Sequence, residues 1–310
     1  MAQDRCTLDK DAIQHHYDLS NDFYQLFLDP LMVYTCAYYR TPDGSLEQAQ
    51  QDKLNLVCRK LRLQPGDRLL DIGCGWGSLV IWAAKHYGVE ALGVTLSSEQ
   101  VAYGQDWIAH EGLSDVCRVE HRDYRDLVGE DPYDKISAIG LIEHVGTANY
   151  AAYFSEVHGL LQPGGIFLNH GITRHRYWKW SPQWDFLIEN VFPNGELTHV
   201  SHITATMEEQ NFEILDVESL RPHYARTCRQ WVERLRANEK RAIELVGERK
   251  YRTWLLYLAS SSVGFEQNSI NLHQVLAARA NPSAAVVPTT REEIYGVESH
   301  SGRRLQPATG

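Results

Sequence analysis

Three glycines at alternate positions stand where backbone N–H groups could bind a small molecule: Gly73, Gly75 and Gly77. They follow an apolar run with strand character, residues 69–72, and precede an apolar helical segment, residues 78–86. A strand, a glycine turn and a helix in this order place N–H donors at a helix start, facing a ligand. Glycine is needed because a Cβ would block close approach. The pattern predicts a binding site at this turn, with Asp71 directly before it.

Groups suited to proton transfer follow two later segments with strand character. Glu143 and His144 come after residues 136–139, and His170 ends the segment 166–170. Ligands of α/β proteins lie outside the carboxyl ends of the strands, so these side chains are placed to meet one. A group there could act as a weak base or orient one. Two alternatives stay open: Glu143 and His144 could cap the next helix, and His170 could be a hydrogen-bonded core histidine.

Alternating strand and helix patterns surround these positions. Strand character occurs at residues 69–72, 91–95, 116–121, 136–139, 166–170, 213–219 and 272–278, and helical periodicity at 45–63, 78–86, 98–111, 150–161 and 224–265. Such alternation is typical of a doubly wound sheet. We therefore expect an α/β fold of Rossmann-like type, with a mostly parallel, seven-stranded sheet and helices on both faces. Ser45 is expected to cap the helix 45–63.

The same patterns predict three parts of the chain. Residues 1–64 are expected to form an N-terminal helical cap, and residues 65–279 the ligand-binding core. Within the core, residues 173–265 are expected to be an insertion that covers the substrate, beginning with a lid rich in Trp, Pro and His. Residues 280–310 are rich in Pro, Ser, Thr and Gly and are expected to be disordered.

Composition restricts the class of protein. The 310 residues are 43% apolar and 23% charged, as in ordinary globular proteins. The chain has no run of about 18 apolar residues, so no transmembrane helix is expected, and its first residues lack the apolar core of a secretory signal. Six cysteines without a Cys-x-x-Cys pair favour reduced thiols in a cytoplasmic protein. They also argue against a structural zinc site, and no metal is expected.

Charge is unevenly distributed. The net charge of −10 argues against general nucleic-acid binding. The stretch from Arg221 to Arg252 nevertheless carries ten Arg or Lys against four Glu, a local excess of +6. This basic segment could dock on lipid phosphates, as a peripheral membrane contact, or on an acidic carrier protein. The alternative, which remains open, is a solvated helical face.

Six short motifs occur in one order: His16-Tyr17-Asp18-Leu19-Ser20, Tyr34-Thr35-Cys36-Ala37-Tyr38, Asp71-Ile72-Gly73-Cys74-Gly75-Trp76-Gly77, Ile142-Glu143-His144-Val145, Phe192-Pro193-Asn194-Gly195 and His223-Tyr224-Ala225-Arg226-Thr227. The glycine motif resembles motif I of S-adenosylmethionine-dependent methyltransferases. Together the six motifs, over residues 11–279, resemble those of the cyclopropane fatty acid synthases and mycolic acid cyclopropane synthases. Any one motif would be weak evidence, but their joint occurrence makes the resemblance strong.

This resemblance implies S-adenosylmethionine as the cofactor. The residues that match the family's cofactor site are Tyr34, Thr35, Asp71, Gly73, Gly75, Gly77, Thr95, Gln100, Asp123 and Tyr124. Thr95 followed by Gln100 is the family's variant of the acidic residue that ends the second strand in other Rossmann-like methyltransferases. The family more often has Ser at position 35 and Trp at position 124. Both exchanges keep a hydroxyl or an aromatic face.

The resemblance also implies a bound bicarbonate. The positions that match its surroundings in family members are Cys36, Ile139, Glu143, His170 and Tyr224. His170 and Tyr224 can donate hydrogen bonds to its oxygens, and an ionised Glu143 can accept its O–H. Cys36 could instead be a buried packing residue, and Tyr224 could pack a helix start. Where family members often carry a late-helix cysteine this chain has Ser261, which has no adjacent base in the sequence to make it a nucleophile.

The reaction implied is transfer of a methylene group to the cis double bond of an unsaturated acyl chain, either in a phospholipid or on a carrier. A methyl group adds to the alkene, and the resulting cation loses a proton to bicarbonate as a cyclopropane ring closes. Aromatic faces near the site, those of Tyr17, Trp76 and Tyr38, could stabilise the cation. Two rivals share the first step: a methyl-branched lipid, and a C-methylated isoprenoid or polyketide. A catalytically inactive ligand-binding protein is disfavoured because the glycines and Glu143 are present.

Overall fold

A seven-stranded sheet forms the centre of the molecule. The computed structural model describes residues 19–175, 177, 191, 195–281 and 290–295. Its strands are β1 (Arg68–Ile72), β2 (Glu90–Thr95), β3 (Cys117–His121), β4 (Tyr133–Ile139), β5 (Leu161–Arg174), β6 (Phe212–Ser219) and β7 (Ile270–Arg279). They are ordered β3-β2-β1-β4-β5-β7-β6. The prediction of a seven-stranded α/β sheet is confirmed.

Strand direction explains where a ligand can bind. Strands β1 to β5 run parallel, and β7 lies antiparallel between β5 and β6. Parallel strands are covered on both faces, and four of the five β1 residues are buried. The chain leaves β1 towards β2 on one side and later returns to pair β4 on the other. The carboxyl ends of β1 and β4 therefore flank the crevice where open α/β sheets bind ligands.

Ten α-helices are described. They are α1 (Asn21–Gln25), α2 (Leu46–Lys60), α3 (Ser78–Tyr87), α4 (Ser98–His110), α5 (Ile142–Val145), α6 (Tyr150–Leu160), α7 (Val200–Glu209), α8 (Arg221–Ala237), α9 (Glu239–Glu266) and α10 (Glu292–Tyr295), with 3₁₀ helices at Tyr124–Leu127 and Thr147–Asn149. Ser45 caps α2 as predicted, because its side chain accepts a hydrogen bond from Gln48 N.

Residues 224–265 do not form the single helix that periodicity predicts. Helix α8 ends at Ala237, and Asn238 has φ −105° and ψ 21° before α9 begins. Inside α9, Gly247 has φ 79° and ψ 157°, a conformation that glycine adopts readily and other residues rarely do. The long helical stretch is therefore a helix pair whose second member is itself broken.

Three apolar cores hold these elements together. One lies under α2 and α3, a second lies under α6 and α7, and the third joins the N-terminal segment to α8 and α9. Aromatic rings dominate the third core. Tyr24 packs edge-on against Trp76 with centroids 5.0 Å apart, and Phe23 against Trp254 at 5.5 Å. Edge-to-face pairs of this kind add to the free energy gained by burial.

The structure differs from the predicted division of the chain at two places. Strand β6 lies within residues 173–265, so this range contains part of the sheet as well as helices that cover it. Helix α10 lies within the tail predicted to be disordered: Arg59 Nε donates to Ile294 O at 2.7 Å, and Arg291 lies 2.8 Å from the Asp216 carboxylate. A short C-terminal segment is thus ordered against α2 and β6.

Some of the predicted features lie outside the described residues: His16, Tyr17, Asp18, the lid residues Trp178, Trp180 and Trp184, and Phe192 to Asn194. Within the described part of the chain, no helix is both long enough and apolar enough to span a bilayer.

Candidate active site

The glycine turn between β1 and α3 adopts the backbone conformation that its residues allow. Gly73, Gly75 and Gly77 have φ of 74°, 57° and 87°. A Cβ on Gly77 would lie 2.9 Å from a Val119 methyl group, whereas one on Gly75 would meet nothing within 4 Å. Gly73 and Gly75 line a cavity of about 180 Å³. Gly77 therefore packs the turn against β3, and Gly75 keeps space open for a ligand.

Polar groups from β2 and α4 stand beside this turn. Thr95 Oγ1 donates to Gln100 Oε1 at 2.7 Å, and both residues are buried. Ser97 caps α4 by accepting from Gln100 N. Gln100 lines the cavity and Thr95 is not among the described residues that do so. The pair predicted from the sequence is thus assembled, with Thr95 orienting the Gln100 amide.

The segment around Tyr34 forms another wall. Tyr34 and Thr35 both line the cavity. Gln50 Nε2 donates to Thr35 O at 2.9 Å, and Lys53 Nζ donates to Thr35 Oγ1 at 3.2 Å. Two polar side chains of α2 therefore hold this loop segment in place.

Asp71 and Asp123 have different surroundings. Asp71 lines the cavity and accepts from Ser137 Oγ at 2.6 Å, and burial raises its pKa to about 7. Asp123 accepts from Arg125 N and from the Arg125 guanidinium at 2.6 Å. Tyr124 packs against Tyr153 at 5.6 Å. Neither Asp123 nor Tyr124 is among the described residues that line the cavity.

Glu143 is a second acidic side chain that lines the cavity. It lies on α5, directly after β4, with 8% of its surface exposed. Its Oε1 accepts from Ile172 N at 2.6 Å, whereas the buried Oε2 has no partner among the described residues. Burial raises the pKa of Glu143 to about 7. One oxygen is therefore anchored and the other is available to a bound species.

His170 lies next to this site but is not among the described residues that line the cavity. It pairs with Ile139, which does line it, across β4 and β5. Gln274 Nε2 lies 3.0 Å from His170 Nδ1, and His170 Nε2 has no partner among the described residues. Burial lowers the pKa of His170 well below its ordinary value, so the ring is neutral. With Gln274 donating to Nδ1, the proton sits on Nε2, where it can be donated.

Tyr224 and Cys36 differ in their access to the cavity. Tyr224 lines it and stacks on Phe265 with centroids 4.5 Å apart. Cys36 is fully buried, its Sγ lies 3.2 Å from Ala37 O, and it is not among the described residues that line the cavity. Burial raises the pKa of the Cys36 thiol well above its usual range. A thiol of this kind is not a nucleophile at neutral pH.

Part of the cavity lining is apolar. It is lined by side chains from α8, α9 and β7: Cys228, Trp231, Tyr257, Leu258, Phe265 and Ile270. Ser261 lies among them, where the family resemblance places a cysteine, and is buried. The cavity lining thus has a polar part at the glycine turn and an apolar part between helices.

The sequence analysis gave no site role to many of the lining residues, among them Lys53 and Trp231. A signal for Lys53 was present, because it shares a helical stripe with Leu46, Ala49 and Val57 and so must face the core. A lysine at such a position is rarely buried without a partner. Trp231 lies on α8, whose apolar stripe gives no indication of which residues reach a ligand.

Comparisons with known proteins agree with this geometry. Residues 4–275 match the family described as mycolic acid cyclopropane synthetase. A probable fatty acid methyltransferase of Pseudomonas putida is 46% identical over 93% of this chain and 74% of its own length. Another from Mycobacterium tuberculosis is 48% identical over 89% of this chain, which spans only 64% of that relative.

A solved structure shows the same likeness. The mycolic acid cyclopropane synthase CmaA1, complexed with SAH and CTAB, is 35% identical, with a TM-score of 0.82 over 87% of this chain and 98% of that one. Because the family match covers most of the sequence and the fold agrees, the chain belongs to the mycolic acid cyclopropane synthetase family.

Proposed function

We propose that this protein transfers one carbon from S-adenosylmethionine to the cis double bond of an unsaturated acyl chain and closes a cyclopropane ring. The observation that carries the proposal is a cavity whose lining is partly polar and partly apolar. Its lining includes the glycine turn, Glu143 with its unpartnered Oε2, and a group of aromatic and aliphatic side chains. An apolar chain and a polar cofactor can therefore meet beside one carboxyl group.

The residues present fit the cofactor. Gly75 leaves space in which a Cβ would meet nothing within 4 Å, and Gln100 offers an oriented amide. Tyr34, Thr35, Asp71 and Gly73 complete the polar part. When bound, S-adenosylmethionine would supply an electrophilic methyl group. The protein's part is to bind it, to orient the alkene towards it, and to exclude water.

Aromatic faces suit the positive charge that develops on the acyl chain. Trp231, Tyr224 and Tyr34 line the cavity, and the Tyr34 and Trp231 rings lie 5.2 Å apart. A cation over such a face gains about 0.5–2 kcal/mol. The same rings exclude water, which would otherwise add to the cation.

Ring closure requires loss of one proton from the transferred carbon, and this chain fits a bicarbonate as its acceptor. Bound bicarbonate would supply a weak base. The buried Oε2 of Glu143 could accept its O–H, while Tyr224 and His170 Nε2 could donate to its oxygens. Cys36 and Ile139 would contribute main-chain groups. Support for this arrangement is the unpartnered carboxyl oxygen of Glu143 in a cavity that Tyr224 and Ile139 also line.

A second candidate product is a methyl-branched lipid, which the names of two relatives favour. The two reactions share the methyl addition and differ in which proton is lost: loss from the transferred carbon closes the ring, whereas loss from a neighbouring chain carbon leaves a methyl branch on a double bond. Feeding methionine with a trideuterated methyl group to cells that express the protein distinguishes them. A cyclopropane lipid retains two deuterons on a ring carbon, whereas a methyl branch retains three. Lipids that gain no labelled carbon would contradict both forms of the proposal.

A further inference from the structure

Lys53 is a buried cation at the polar part of the cavity. It lies on α2 with 2% of its surface exposed, and it lines the cavity together with Thr35, Asp71 and Gly73. Burying an ammonium group costs free energy unless charged or polar partners compensate for the lost water. What surrounds its nitrogen therefore indicates what it binds.

The partners of Lys53 within the protein are incomplete. Its Nζ donates to the neutral Thr35 Oγ1 at 3.2 Å, and no carboxylate of the described residues lies within the 4.0 Å of an ion pair. The nearby Asp71 and Asp29 have other donors: Ser137 Oγ for Asp71, and Leu31 N and Val33 N for Asp29. An ammonium group has three N–H donors. Two donors remain for a ligand in the cavity.

Lys60, on the same helix, shows how the charge of a buried lysine is usually compensated. It is also fully buried, but its Nζ lies 2.5 Å from the Glu218 carboxylate and 3.6 Å from that of Asp216. It is not among the described residues that line the cavity. The two buried lysines of α2 thus differ in their charge compensation: Lys60 has carboxylates within ion-pair distance, whereas Lys53 has only the attraction of the more distant Asp29 and Asp71 carboxylates.

We propose that Lys53 binds the carboxylate of the cofactor's amino-acid portion, an inference that rests on the proposed use of S-adenosylmethionine. That carboxylate is the cofactor's only anionic group. Lys53 stands next to the glycine turn, where the polar end of the cofactor is expected. Its contact with Thr35 couples carboxylate binding to the position of the Tyr34–Thr35 segment.

The electrostatics agree with this role. Burial lowers the pKa of Lys53 to about 8, because the free protein does not fully compensate its charge. A bound carboxylate would raise that pKa, since it favours the ammonium form. Cofactor binding near pH 8 should therefore take up a fraction of a proton from the solvent.

Calorimetric titration of S-adenosylhomocysteine and of 5′-methylthioadenosine, which lacks the amino-acid portion, tests the proposal. Replacement Lys53→Met should weaken S-adenosylhomocysteine about 10- to 100-fold, the scale of a lost charge-assisted hydrogen bond. It should change 5′-methylthioadenosine less than about twofold, since the carboxylate contact is absent there. The matched control, Lys60→Met, removes a buried lysine from the same helix and should leave the ratio of the two affinities unchanged.

Four results would overturn the proposal. Equal weakening of both ligands by Lys53→Met would mean that Lys53 only supports the fold, and unchanged S-adenosylhomocysteine affinity would mean that it does not touch the cofactor. If the Lys53→Met variant does not fold, the wild-type protein is titrated with S-adenosylhomocysteine near pH 8 in two buffers of different ionisation enthalpy. Binding without proton uptake would then contradict the assignment of Lys53. Failure of the wild-type protein to bind S-adenosylhomocysteine would remove the proposed function as well. A wild-type protein that binds it but methylates no lipid would leave the Lys53 assignment standing.

Discussion

The two oxygens of the Glu143 carboxyl group have different surroundings. Oε1 is held by Ile172 N, which fixes the side chain between α5 and β5. Oε2 is buried and unpartnered among the described residues. A buried acceptor without a partner costs about 1–3 kcal/mol, so the structure keeps it at the expense of stability. A buried polar group that is retained despite this cost in stability is typical of a residue that acts on a bound species.

We predict that Glu143→Gln lowers turnover about 10²-fold or more and leaves S-adenosylmethionine affinity nearly unchanged. The amide keeps an oxygen for Ile172 N but replaces the accepting Oε2 with a donor, so it can no longer orient a base. Single-turnover kinetics and calorimetry measure the two effects. Glu196→Gln is the matched control, because this nearby carboxylate is exposed and bonds to Thr147. Unchanged turnover in the Glu143 variant would exclude this residue from the mechanism.

The raised pKa of Glu143 also predicts how stability depends on pH. In the unfolded chain the group loses its proton near 4.5, and in the folded protein near 7. The folded state therefore binds more protons between these values, so the Glu143 contribution is fully present below about pH 4.5 and is lost as pH rises to 7. We expect the unfolding free energy of wild type, relative to Glu143→Gln, to fall by about 3 kcal/mol across this range. Denaturant titrations at several pH values measure it, and a constant difference would contradict the assignment.

Sequence patterns find some site residues and miss others for a physical reason. Glu143 was found because it follows a strand, and strand ends meet at the crevice. Lys53 was missed because its role depends on which groups α2 packs against, and periodicity reports burial without naming the neighbours. Asp123 matched a cofactor position, yet its carboxylate is bonded to Arg125, a local contact that spacing does not reveal.

At the scale of elements, α5 depends on a close approach to β5. A Cβ on Gly171 would lie 2.2 Å from Ile142 Cγ2 and 3.8 Å from Glu143 Oε1. Glycine at this position lets the helix that carries Glu143 settle against the strand. The absence of a side chain at Gly171 therefore determines how closely α5, and with it the Glu143 carboxyl group, lies to β5.

We predict that Gly171→Ala destabilises the protein by about 1–3 kcal/mol, the usual effect of overpacking, and lowers turnover because Ile142 must move with α5. The control is Gly159→Ala in α6, where a Cβ would meet nothing within 4 Å. That change should stabilise the protein by about 0.5–1 kcal/mol, since alanine favours a helix. Thermal unfolding and activity are measured together, and a Gly171 variant with wild-type turnover would mean that α5 tolerates displacement.

The positions of strands and helices along the chain could be predicted from the sequence. The order and direction of the strands in the sheet, and the breaks in the long helical stretch, could not. The parallel strands β1 and β2 contain short apolar runs because both faces are covered, and all five parallel strands were predicted to within a few residues, apart from the extended ends of β5. The antiparallel placement of β7 between β5 and β6 depends on long-range pairing that no local pattern contains. The breaks at Asn238 and Gly247 were missed because apolar periodicity continues across them.

At the scale of the whole molecule, the basic segment from Arg221 to Arg252 is less available than its composition indicates. Six of its ten cations have intramolecular partners, and these are Arg221, Arg226, Arg229, Arg234, Arg241 and Arg252. Arg226, for example, donates to the carbonyl oxygens of Thr41 and Gly44 and so ties α8 to the loop before α2. Much of the local charge therefore stabilises the fold.

The remaining four cations are exposed and lie on α8 and α9: Arg236, Lys240, Arg249 and Lys250. We propose these as the groups that contact an anionic lipid surface, which would bring the cavity to its acyl substrate. Each lysine near such a surface contributes about 1 kcal/mol, so the double replacement Lys240→Gln, Lys250→Gln should weaken binding to anionic vesicles about 30-fold. The Arg252→Gln control should have a smaller effect, because Glu248 holds that guanidinium at 2.6 Å.

Vesicle sedimentation at two salt concentrations completes this test. Raised salt should weaken wild-type binding more than it weakens the double variant, since fewer charges remain to be screened. Neutral vesicles should bind both proteins alike. Equal binding of wild type and double variant to anionic vesicles would show that Lys240 and Lys250 do not contact the lipid surface, and the proposed docking face would be contradicted at these two residues.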